Sequence, residues 1–162
     1  MGLQQFTLVH ILISLVGIAA GFGALSGLIA GKLFPRWTAA FLVTTVATSV
    51  TGFFFPFHGV TPGIVVGVIS CVLLAVAIYA LYVQRLAGIW RKAFVVGAVV
   101  SLYLNVFVLI VQLFQKMPVL VEIAPTQTEP PFAATQGATL VAFIALGFFA
   151  ARNFRDGLGG PA

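Results

Sequence analysis

The chain has 162 residues, 61% of them hydrophobic and 7% charged, with a net charge of +5. A soluble domain carries about 25% charged residues and needs a solvated polar shell, so this composition excludes a water-soluble fold and makes lipid the natural solvent. The pI lies near 10, but Lys and Arg lie at the ends of apolar runs, not along a basic face or arm, which excludes a nucleic-acid surface.

Crossing a hydrocarbon core of about 30 Å takes roughly 20 helical residues. Five runs meet that length: 6–30, 37–57, 62–84, 93–115 and 132–151. The first has no basic segment before it and is too long for a signal-peptide core, so it reads as a retained helix. It stops at Gly31 and Lys32, with Pro35 and Arg36 beyond. The second stops at Pro56, His58 and Gly59. The third opens with Pro62, where a missing N–H costs nothing. The apolar runs are continuous and do not alternate, which excludes a β-barrel. The expected fold is an all-α integral membrane bundle of five transmembrane helices. It forms one domain over residues 1–155, and residues 156–162 are expected to be a disordered tail.

Charge gives the expected orientation. Lys32 and Arg36 follow the first run; Arg85, Arg91 and Lys92 follow the third; Arg152 and Arg155 follow the fifth. With five spans all seven share one side, and Lys116 alone takes the other. The positive-inside rule then places the N-terminus outside and the C-terminus inside. Trp37 and Trp90 fall at inner boundaries, where interfacial aromatics belong. Glu122 and Glu129 share the outer loop, 116–131, and Asp156 lies in the inner tail. The first half of that loop is apolar and is expected to lie on the outer face or fold over the helix ends. Its second half, PTQTEPP, reads as a turn-rich connection.

Polar residues inside the runs are few. Gly23, Gly27 and Gly31 recur at intervals of four, a pattern that serves either a dimer seam or packing within the bundle. Thr44, Thr48 and Thr51 form a hydroxyl stripe that can bond to the preceding turn. Ser101, Asn105 and Gln112 share nearly one face of the fourth run, with Gln115 nearby. An amide at Asn105 is expensive against lipid and must face protein or water. That face reads as helix contact, or as one wall of a ligand or proton path.

The two histidines, His10 and His58, reach the same outer level, where Gln112, Gln115, Lys116 and Glu122 also arrive. Three readings stay open. His10 is an interfacial helix residue and His58 a turn residue; both ligate one haem b iron; or, with Glu122, they bind a metal ion such as zinc. Two histidines cannot hold two haems. Cys71 is the single cysteine, so no intrachain disulfide, CxxC site or thiolate-rich metal site is available. No HExxH, GxSxG, phosphate-binding loop or dinucleotide fingerprint is present, which points away from an enzyme. Neither the broken helices of a transporter nor the filter of a channel is visible.

The stretches TVATSVTGFFFPF at 45–57, LYLNVFVLIVQLFQK at 102–116 and APTQTEPPF at 124–132 resemble an uncharacterised family of small bacterial multi-pass inner-membrane proteins. The resemblance covers roughly residues 10–155. It implies the bacterial inner membrane and carries no activity, cofactor or catalytic residue. The first half is also similar to small bacterial proteins with histidines in their early helices, some of them associated with haem. The 31–37 loop departs from that pattern, because it holds no histidine.

The expected function is a non-enzymatic membrane subunit or scaffold that binds a hydrophobic ligand, lipid or protein partner within the membrane. A homo-oligomer or a larger membrane complex is the expected setting. The alternatives are a small redox protein with one haem or metal at His10 and His58, and a small-solute permease along the Asn105 face.

Overall fold

The computed structural model describes residues 2–56 and 62–155, and among them every regular element is a helix. The order is α1 (Leu3–Ile29), α2 (Pro35–Gly52), α3 (Pro62–Ile78, continued by a π-helical turn over Tyr79–Val83), α4 (Ile89–Lys116), α5 (Pro118–Ile123) and α6 (Pro130–Asn153). His58 and residues 156–162 fall outside the described residues, and with them the expected tail.

Proline opens α2, α3, α5 and α6, since its fixed φ suits the first turn and its absent N–H is unneeded there. Gly31 closes α1. Its φ of +76° lets Gly31 N–H donate to the Leu28 carbonyl (3.1 Å) and Lys32 N–H to that of Gly27 (2.9 Å), the paired bonds that seal a helix C-terminus.

Among the described residues four helices are long and apolar enough to cross a membrane: α1, α3 with its π turn, α4 and α6. The helix expected as the fifth span is different. α2 has 18 residues, about 27 Å at 1.5 Å per residue. Arg36 and its Thr and Ser residues dilute its apolar content. It also ends at Gly52 and not at residue 57. Pro56 disfavours helical backbone at Phe55 before it, so the helix cannot run on to residue 57, and Phe53 and Phe54 form a turn despite being apolar.

The long helices run up and down. At one end of the α1–α2 pair His10 meets Thr51; at the other, Gly27 lies against Phe34. Phe53 covers Gly67 of α3, and the Gly97 backbone of α4 approaches the Leu73 carbonyl of α3. α6 runs antiparallel to α4 and alongside α1, with Phe143 between Tyr103 and Phe22. This arrangement gathers Lys32, Arg36, Arg85, Arg91, Lys92, Arg152 and Arg155 at one end of the bundle, and Lys116 at the other.

Phe41, Phe94, Leu102 and Phe154 are among the most buried side chains of the main core. A smaller cluster of Ile110, Phe114 and Ala124 forms where α5 folds back on α4. At the cation-rich end, Asn153 Nδ2 donates to the Ile29 carbonyl (2.9 Å) and Arg91 Nη1 to that of Arg155 (3.0 Å). The outward faces are apolar too, with Val72 of α3 and Ile144 of α6 more than half exposed. Water would penalise such faces, whereas lipid accepts them.

The end of α3 departs from the unbroken helices expected. After the π turn, Arg85 and Leu86 take left-handed backbone, with φ of 48° and 60°, which is uncommon for residues other than glycine. Leu86 N–H donates to the Ala80 carbonyl (2.9 Å), and the Leu86 side chain is buried in the core. That burial offsets the backbone strain.

Candidate functional site

The seam between α1 and α2 is a ladder of small polar contacts. His10 is half-buried, with Nδ1 2.8 Å from Thr51 Oγ1. The Thr51 hydroxyl already donates to the Ala47 carbonyl at 2.6 Å, so Nδ1 carries the proton and donates. Nε2 is then the basic nitrogen of the ring. One turn deeper, Ser14 Oγ donates to the His10 carbonyl (2.7 Å) and approaches Thr48 Oγ1 (3.4 Å). Below it Gly17 brings α1 close to Thr44. The Thr44, Thr48 and Thr51 stripe therefore faces α1.

Phe55 stands edge-on to the His10 ring, 5.1 Å away between centroids. The segment leaving α2 thus passes His10 before it reaches His58, which lies outside the described residues. Glu122 is exposed on α5. Among the described residues no three of His, Cys, Asp or Glu come close enough to hold a metal ion.

The polar residues of α4 part company. Asn105 Nδ2 donates to Thr45 Oγ1 of α2 (3.3 Å). Ser101 is fully buried, and its Oγ has no hydrogen-bond partner. Gln112 is half-buried. Gln115 reaches Gln127 at 3.5 Å, a marginal contact.

Gln127 and Gln136 carry roles the sequence reading missed. Gln127 Nε2 donates to the Val111 carbonyl (3.0 Å) and Gln136 Nε2 to that of Phe107 (3.2 Å). Both clamp the polypeptide after α5 onto α4. A glutamine inside the apolar 132–151 run was the available signal for Gln136.

The glycine stripe of α1 is covered from within the chain. A Cβ at Gly23 would lie 2.5 Å from the Trp37 ring, and one at Gly27 would lie 2.9 Å from the Lys32 carbonyl oxygen. Gly31 sits under the Asn153 carbonyl.

An apolar groove with a volume of about 190 Å³ lies between α4 and α6. Val95, Val96, Val99 and Tyr103 form one wall; Leu140, Ile144 and Gly147 form the other. On α6 only Phe143 and Ala150 are buried, and Gly147 brings that helix close to Val99 of α4 within the groove's lining. Neither Asn105 nor Ser101 lines it. It is smaller than the ~300–1,000 Å³ of a usual small-molecule pocket, and it suits a chain better than a ring system.

No family model, curated protein or solved structure matches the chain.

Proposed function

We propose that this chain is a non-enzymatic membrane protein that holds a hydrophobic ligand, a lipid chain, between its helices. The observation that carries the reading is the apolar groove between α4 and α6, whose lining residues Val96 and Ile144 are more than half exposed on the outward face. The amides and hydroxyls of the spans support it indirectly. Asn105, Thr45, Gln127 and Gln136 bond to neighbouring helices and tie the scaffold together.

We further propose that α2 crosses the membrane as the fifth span. It lies antiparallel between α1 and α3, and its 18 residues come close to a ~30 Å core. The N-terminus is then outside, and the cation-rich end faces the cytoplasm of a bacterium. The family resemblance and a homo-oligomeric or complexed state belong to this same proposal.

The test is native mass spectrometry of the full chain released from gentle detergent. A retained lipid at one per chain is expected, and Ile144→Trp, which fills the groove from an exposed position, should remove it. A chain that flies without lipid, or keeps it in Ile144→Trp, would overturn the reading.

A second reading has one observation in its favour: His10 presents a basic Nε2 beside the segment that leads to His58. An absorption spectrum of protein expressed with ample haem, before and after dithionite, decides it. A Soret band that sharpens on reduction and disappears in His10→Ala would put the redox reading first. A flat spectrum would remove haem.

A further inference from the structure

We infer that the lipid in the α4–α6 groove is an anionic phospholipid of the cation-rich leaflet, with its phosphate held by Lys92 and Arg155. This rests on the lipid-binding reading above and adds the headgroup.

Depth comes first. From Val95 to Tyr103 the groove follows eight residues of α4, about 12 Å of helix. That is less than half of a ~30 Å core, so the groove lies within one leaflet. Its end at Val95 is the end nearest the start of α4, where the cations gather.

The mouth comes next. Lys92 precedes Val95 by three residues and Val96 by four, so it sits one turn below the groove on the same face of α4. At the same end of α4, Arg91 Nη1 donates to the Arg155 carbonyl over 3.0 Å. That bond fixes the Arg155 backbone beside the foot of α4. Lys92 and Arg155 are both exposed. The N-terminus of α4 adds the favourable end of its dipole.

Charge decides the partner. Seven cations share this end of the bundle, and no acidic side chain among the described residues pairs with any of them. Asp156 lies outside the described residues. An apolar slot within one leaflet, closed at its foot by cations with no acidic partner among the described residues, matches a molecule with a long chain and a negative head at headgroup depth. A neutral lipid matches the slot alone. A second copy of this chain would bring seven cations of its own to the same end, and like charges repel.

The experiment places the full chain in phosphatidylcholine bilayers with a trace of spin-labelled phosphatidylglycerol or spin-labelled phosphatidylcholine. Electron spin resonance then gives the motionally restricted fraction of each. Phosphatidylglycerol should be preferred, and each nearby cation should contribute roughly fivefold at low salt. The pair Lys92→Gln and Arg155→Gln should lower that preference at least about fivefold. The pair Lys32→Gln and Arg36→Gln, with the same charge loss away from the groove, should lower it much less. Equal losses in the two pairs would overturn the headgroup site and leave a groove that takes any lipid. A restricted fraction unchanged by Ile144→Trp, for both probes, would overturn the groove itself and the preceding reading with it. Loss of a cross-linkable dimer in Ile144→Trp, without change in either lipid, would assign the groove to a second copy and overturn the proposal.

Discussion

Asn105 donates from Nδ2 to Thr45 Oγ1 over 3.3 Å, joining α4 to α2 near the middle of each helix. Bonds of this kind in membrane proteins average about 0.6 kcal/mol and reach about 1.7. Thr45 is fully buried, so Thr45→Val should leave the amide without its acceptor and cost about 1–2 kcal/mol. The double variant Thr45→Val with Asn105→Leu should cost less than the sum of its parts. Unfolding in mixed micelles measures this, and strictly additive energies would show that the contact carries no coupling. If the Asn105 face instead conducts a small solute, Asn105→Leu abolishes flux in proteoliposomes while stability barely changes.

Gly27 and Gly137 should respond oppositely to the same methyl group. At Gly27 a Cβ meets the Lys32 carbonyl oxygen at 2.9 Å and the Phe34 ring at 2.8 Å. Backbone cannot yield as a side-chain tip can, so Gly27→Ala should lose about 1–3 kcal/mol. Gly137 has nothing within 4 Å of such a Cβ. Gly137→Ala should be neutral or gain up to about 1 kcal/mol from helix propensity. Thermal melts of the two variants side by side check it; equal shifts would contradict the close α1 packing.

Glu129 organises the turn before α6. Its carboxylate accepts from Thr126 N–H (3.2 Å) and Oγ1 (2.8 Å), and from Thr128 N–H (3.1 Å). Desolvation, the largest single effect, pushes its pKa up, but the hydrogen bonds together outweigh it and hold it below the ordinary glutamate value. A pKa lowered in the folded state means a stabilising contribution that is present above the unfolded value. It is lost as pH falls through the folded one. Amide exchange at Thr126 and Thr128 should therefore quicken in acid, and Glu129→Gln should be fast at every pH. A wild-type loop indifferent to acid would refute this.

Single cysteines in a Cys71→Ser background test the span count. Leu3 and Ile89 are both well exposed. If α2 crosses, Leu3→Cys and Ile89→Cys lie on opposite sides, and an impermeant maleimide labels only Leu3→Cys on intact cells. If α2 does not cross, the two cysteines share a side and react alike.

Much of the helical skeleton is legible from the chain. Apolar length announces α1, α3, α4 and α6, proline marks where helices begin, and Gly31 marks where α1 ends. What hydropathy cannot see is backbone geometry. Phe53 and Phe54 look like membrane span, yet they form a turn just before Pro56. The π turn at Tyr79–Val83 depends on burying Leu86, a tertiary demand with no local signal. Asn105 plainly needs a partner, but that the partner is Thr45 emerges only when α2 and α4 are side by side. The groove was the least visible feature, because valines and leucines that line a slot look the same in sequence as those that face lipid.

The bond from Asn153 to the Ile29 carbonyl sets an order on assembly. Its two ends are separated by every other span, so the seam between α1 and α6 cannot form until the ribosome has delivered all the helices between them. Until then the Ile29 carbonyl lacks this donor, and the half-built bundle has a gap where α6 belongs. Whatever covers that face of α1 earlier in synthesis has to give way before this contact closes.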